Sequence, residues 1–168
     1  MPDAELPVRR TDRHFRARQL GELGASVARP ARLCCMGKDD DRQRPLLTPE
    51  LGYLDARAAI EWLTDILGLR VGGVSDREDG AVAHAELWWQ GFAVYVGTVG
   101  SDQERGRSTV CLVADNDGEV DRLYGRALNA NCEVVFPLTD TAFGSHQFAV
   151  HDPEGHVWVI GTYRPTPP

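Results

Sequence analysis

The chain predicts an α+β fold of two tandem βαβββ modules forming a cup. Three observations carry that expectation: an internal repeat, glycine-bearing hairpin turns at matching places, and apolar spacing that alternates between strand and helix periods. With a shift of 60, LGYLDARAAIEWL (Leu51 to Leu63) lies over CLVADNDGEVDRL (Cys111 to Leu123), so Asp55 meets Asp115 and Ile60 meets Val120. Each copy reads as a short apolar strand, an aspartate suited to capping, and a helix with apolar residues at i, i+3 and i+4. With a shift of 64, QGFAVYVGT (Gln90 to Thr98) lies over EGHVWVIGT (Glu154 to Thr162). Between these matches, His84 of AVAHAELWW stands against His146 of GSHQFAV.

In order, the pattern gives strands near 47–53, 69–76, 81–89 and 92–97, then 108–114, 132–136, 146–151 and 156–162. Helices are expected near 56–67 and 117–130. Gly91 in Trp89-Gln90-Gly91 and Gly155 in Asp152-Pro153-Glu154-Gly155 supply the positive φ that a tight hairpin needs. The modules cover 46–98 and 108–163 of a domain at 45–164, with GSDQERGRS (Gly100 to Ser108) as a solvated linker. Two sheets, each backed by one helix, are then expected to face each other or a partner chain around a hollow.

At 168 residues, with 42% apolar and 26% charged residues, the chain is long enough to bury a core without staples. It has no apolar run of membrane-spanning length and no apolar segment of a secretory signal at its start, so the expected location is the cytoplasm. Cys111 and Cys132 lie in apolar runs and read as buried, inert thiols, and no cysteine pair has zinc spacing. Residues 1–44 hold ten Lys and Arg against seven Asp and Glu, net +3, and read as a disordered or weakly helical arginine-rich leader, with Met36 a natural start. The remainder holds eight against eighteen, net −10, which repels nucleic acid and tolerates cationic small molecules.

The segments YLDARAAIEWLTDILGL, ADNDGEVDRLYGRAL, TDTAFGSHQF and DPEGHVWVIGTY, in that order over about 118 residues, resemble the vicinal oxygen chelate superfamily of glyoxalases, bleomycin-resistance proteins and extradiol dioxygenases. The glyoxalase or bleomycin-resistance branch is the nearest in character. The resemblance implies paired modules forming a cup, commonly in a homodimer. In the enzymes a divalent metal is held by up to four side chains, one from the first and one from the last strand of each module.

Carried onto this chain, the first-strand slots fall on Thr48 and on Ser108 or Thr109, and the last-strand slots on Tyr95 and Val159. None is a histidine or carboxylate, so the expectation is no cofactor and no divalent metal. His146, His151 and His156 do not replace them. Spaced by five and five, they cannot share one face of a strand, and parity turns His146 away from the side of Val159. His151 and His156 are expected to meet at a hairpin rim as a polar pair.

For the cup itself, the repeat makes His84 and His146 mates that can face the hollow as hydrogen-bonding or acid–base groups. Glu86 shares the face of His84, so His84, Glu86 and His146 are the candidates for catalysis. Trp88, Tyr95 and Phe148, together with His84 and His146, are the candidates for ligand binding, lining an aromatic wall with a few polar groups. Trp62 and Trp158 are assigned to the helix–sheet core. The leading expectation is a homodimeric, metal-independent protein that sequesters a hydrophobic or aromatic small molecule such as a drug. The alternatives are a lyase, isomerase or dioxygenase of the same superfamily with a noncanonical site, and a partner-binding module without ligand.

Overall fold

The computed structural model describes residues 47–166, and the arginine-rich leader expected at 1–44 lies outside them. The first module runs β1 (Glu50–Tyr53), α1 (Ala56–Trp62), β2 (Arg70–Asp76), β3 (Val82–Trp89) and β4 (Phe92–Thr98). After a short α2 (Asp102–Arg105), the second runs β5 (Thr109–Val113), α3 (Asp117–Asn129), β6 (Val134–Asp140), β7 (His146–His151) and β8 (Val157–Gly161). The sheets have orders β1-β4-β3-β2 and β5-β8-β7-β6, each with one parallel pair (β1 with β4, β5 with β8) and otherwise antiparallel. This is the α+β architecture of two βαβββ modules that the repeat predicts, and neither sheet closes into a barrel.

Local chemistry explains the helices. Asp55 caps α1 by accepting the Ala58 N–H at 3.1 Å, as the capping pattern requires. In the second module the cap falls one residue later than expected: Asn116 accepts the Glu119 N–H at 3.0 Å, while Asp115 pairs with Arg164 at 2.7 Å. Beyond Trp62 the first helix loosens into a π-helical turn, Leu63–Leu67, where Thr64 Oγ1 bonds back to the Ile60 carbonyl at 2.7 Å. Gly68 ends it at φ 79°. The expected linker is not fully irregular, since Ser101 caps α2 and Arg105 at its end reaches Glu154.

The helix-backed faces of both sheets drain into one core, containing Leu51, Tyr53, Leu63, Leu87, Leu123, Phe148, Trp158 and Ile160. Burial of each large apolar side chain there contributes ~1.5–3 kcal/mol. Trp158 lies in this core and Trp62 packs against it, as assigned. The cysteines differ from expectation: Cys111 is exposed and Cys132 is half-buried, its thiol pushed up by burial. Among the described residues no helix is long and apolar enough to cross a membrane.

The Asp152-Pro153-Glu154-Gly155 turn joins the modules. Tyr53 Oη donates to Asp152 Oδ2 at 2.7 Å, and Trp158 Nε1 donates to the same oxygen at 3.1 Å. The Leu54 and Asp55 N–H groups donate to the Glu154 carboxylate at 2.8 and 2.7 Å. His156 is fully buried: its Nδ1 accepts the Ser108 N–H at 3.1 Å, which leaves the proton on Nε2 to donate to the Gly52 carbonyl at 3.0 Å. The rim pair expected of His151 and His156 is therefore not formed, because His156 is used inside as the bridge between the first module's β1 and the residue that leads into β5.

Candidate functional site

Each sheet leaves its second face uncovered, and the ladder registers show which side chains stand there. On the first sheet Glu50 lies opposite Tyr95, Tyr95 opposite Glu86, and Glu86 opposite Gly73, so one row crosses all four strands. Side chains directly opposite share a face, and the row sets a phenol between two carboxylates. His84 meets the Tyr95 ring edge-on, with centroids 4.5 Å apart and planes at 70°. Trp88 stands opposite Ala93 on β4 and Arg70 on β2. A Cβ at Gly72 would overlap the Trp88 indole, so this glycine lets the ring lie down on the edge strand.

His84, Glu86, Trp88 and Tyr95 are all partly exposed, as expected of residues on an open face. The ring of Tyr95, rather than the Glu86 carboxylate, is the neighbour of His84. Among the described residues no hydrogen bond joins His84 to Glu86.

The second sheet carries the topologically equivalent row: Cys111 opposite Val159, Val159 opposite Ala149, and Ala149 opposite Phe136. Glu86 thus corresponds to Ala149, and His84 to Gln147. His146 is one residue out of step. A one-residue offset turns a side chain to the other face, which overturns the pairing of His84 with His146 while agreeing with the strand parity that turned His146 away from Val159.

His146 instead sits against α3. Its Nε2 meets Asp121 Oδ1 at 3.0 Å and its Nδ1 meets Asp140 Oδ1 at 2.6 Å. These hydrogen bonds, to Asp121 and then Asp140, raise its pKa above the ordinary histidine value. Phe148 is also corrected. It is fully buried, opposite Ile160 and 5.0 Å from the Tyr124 ring of α3, and belongs to the core rather than to a ligand-binding wall.

The family's metal positions can be tested on the same registers. Thr48 and Ser108 precede their strands, and the residues that face Tyr95 and Val159 are Glu50 and Cys111. A carboxylate stands beside a phenol in one pair, and a thiol beside an isopropyl group in the other, so each pair brings one strong ligand type. Among the described residues no three His, Cys, Asp or Glu side chains gather to hold a metal ion. Glu50 was legible in the alternation of Glu-Leu-Gly-Tyr, where Leu51 and Tyr53 are apolar and Glu50 takes the other face.

Two hollows adjoin the open face of the second sheet. One of about 320 Å³ is lined by Cys111, Val113, Phe143, Ser145, Gln147 and Val159. The other, of about 550 Å³, lies where the modules meet, between the Trp89–Val94 hairpin and β5, with Arg164 at its margin. Trp89 Nε1 holds that junction by donating to the Val113 carbonyl at 3.0 Å.

Known proteins resemble this chain in sequence and in fold. The uncharacterized proteins Mb0911c of Mycobacterium bovis and Rv0887c of Mycobacterium tuberculosis are each 31% identical over 125 residues, covering 70% of this chain and 82% and 74% of their own lengths. Among solved structures, TioX from Micromonospora sp. ML1 is 27% identical with a TM-score of 0.60, over 70% of this chain and 98% of that one. A lactoylglutathione lyase from Agrobacterium tumefaciens shares the fold at 20% identity and a TM-score of 0.54, over 70% and 92% of the two chains. Residues 49–160 match the family model, and with the two-module fold this places the chain in the Glyoxalase/Bleomycin resistance protein/Dioxygenase superfamily.

Proposed function

We propose that this protein binds and sequesters a flat, hydrophobic or aromatic small molecule, favouring one with a cationic group, on its open sheet faces and without a metal. The observation that carries the reading is the row of Glu50, Tyr95 and Glu86 across neighbouring strands, with His84 edge-on to Tyr95 and the Trp88 indole lying over the edge strand, on a sheet face that the chain leaves uncovered. Aromatic rings give stacking area and a negative π-face that attracts a cation, and the carboxylates in the same row add direct charge attraction. The acidic balance of residues 45–168 acts in the same direction. A homodimer in which a second copy covers these faces would turn them into a cup and exclude water from the ligand. Binding rather than turnover is the reading taken here, with His84 packed edge-on against the Tyr95 ring as part of the wall.

Tryptophan fluorescence titrated with bleomycin and with a panel of planar aromatic cations tests this. Saturable quenching that weakens severalfold in Glu86→Gln and Tyr95→Ala is the expected result. Absence of quenching across the panel overturns it, as does one divalent ion per chain by elemental analysis that is lost in His84→Ala.

A further inference from the structure

The hollow on the second sheet has a polar foot. Ser145 is 1% exposed, and its backbone is satisfied by Thr141: its N–H donates to Thr141 Oγ1 at 2.9 Å and its carbonyl accepts from the Thr141 N–H at 2.9 Å and from Thr141 Oγ1 at 3.2 Å. Its hydroxyl, in contrast, is buried and has no partner among the described residues. An unpaired buried hydroxyl is costly, and native folds rarely keep one without a use. Gly161 makes the space around it, because a Cβ there would stand 2.8 Å from both Ser145 Oγ and Gln147 Cβ. Gln147 adds an amide beside the hydroxyl, and the walls are Val113, Val159 and the edge-on pair Phe143 and Tyr163, centroids 5.5 Å apart.

We infer that this hollow is a distinct subsite for a neutral aromatic amide, whose carboxamide edge exchanges hydrogen bonds with Ser145 Oγ and Gln147 while its ring lies on Val159 and Phe143. A hydroxyl and a primary amide each donate and accept, so a ligand carboxamide can reciprocate both. Among the described residues no charged side chain lines the hollow, and its volume of about 320 Å³ suits a two-ring molecule. The inference rests on the ligand-binding reading above and divides its labour: the first sheet takes the cationic part of a ligand, the second its neutral amide-bearing ring.

The test compares 2-naphthamide with 2-ethylnaphthalene, in the full-length wild type and in Ser145→Ala. Occupancy is read by protection of Cys111 from N-ethylmaleimide, located by peptide mass spectrometry; Cys111 lines both this hollow and the one at the module junction, so protection that weakens in Ser145→Ala assigns the ligand to this one. The expected result is that 2-naphthamide protects Cys111 and binds Ser145→Ala about fivefold to tenfold more weakly, the loss of about one hydrogen bond. Affinity for 2-ethylnaphthalene should stay unchanged, and the variant should melt no lower than wild type. Equal affinity for the amide in both proteins, or no protection of Cys111, overturns the subsite. If the cationic panel still quenches, only the subsite fails; if nothing binds, the ligand-binding reading fails with it.

Discussion

The hydroxyl of Tyr53, at the end of the first module's first strand, donates to Asp152 of the second module's hairpin across 99 residues of sequence. Burial, and then the nearby Asp152 charge, hold the phenol far above its usual pKa, so it stays a donor at any ordinary pH. Tyr53→Phe removes one donor from a buried carboxylate that still accepts from Trp158 Nε1 and the Glu154 and His156 N–H groups. The expected cost is about 1.5–3 kcal/mol in urea unfolding. A loss below about 0.5 kcal/mol would show that the modules do not depend on this bond.

Phe148 supplies a second prediction, because the structure moves it from the ligand wall to the core. Phe148→Ala should cost about 3–5 kcal/mol of stability, since the ring lies against Tyr124 and Ile160 with no route to solvent. Phe148→Leu should fold and bind planar aromatic ligands as wild type does. A stable Leu variant that loses ligand affinity would return Phe148 to the binding site.

His146 makes stability depend on pH. Protonated, it donates from both ring nitrogens to Asp121 and Asp140, and its folded pKa lies above the ordinary 6.5. The sign follows from linkage: the contribution is complete below the ordinary value and is lost as pH rises through the raised one. Relative to His146→Gln, wild type should gain most in urea midpoint near about pH 5.5 and least near about pH 9. Both carboxylates are largely exposed, so added salt should shrink the gain. An equal gap at both pH values would mean that the two ion pairs do not form in solution.

Parity can be counted within a strand, which is why His84, Glu86 and Trp88 are legible as one group, whereas Tyr95 joins them only through the last-strand slot that the resemblance implies. Aligning the two modules was harder, because their hairpins differ in length: Trp88 pairs with Ala93 across the turn in one, His151 with Val157 in the other. The similarity of His84 and His146 hid a shift of one residue, enough to exchange a cup-facing mate for one bound to α3. Ser145 gave no signal, since a serine after Gly144 reads as part of a turn and only packing leaves its hydroxyl buried and unpaired.

The sequence by itself determined the two βαβββ modules, the Asp55 cap of the first helix, the hairpin turns, and the phenol and isopropyl groups in the carried-over last-strand slots. These follow from local periods of 2 and 3.6 residues and from side-chain type. Tertiary structure decided the rest: that Glu50 and Cys111 stand opposite Tyr95 and Val159, that His156 bridges the modules from inside, and that Phe148 is core. Those facts depend on register between strands far apart in the chain, where one residue of offset changes the face and local spacing carries no record of it.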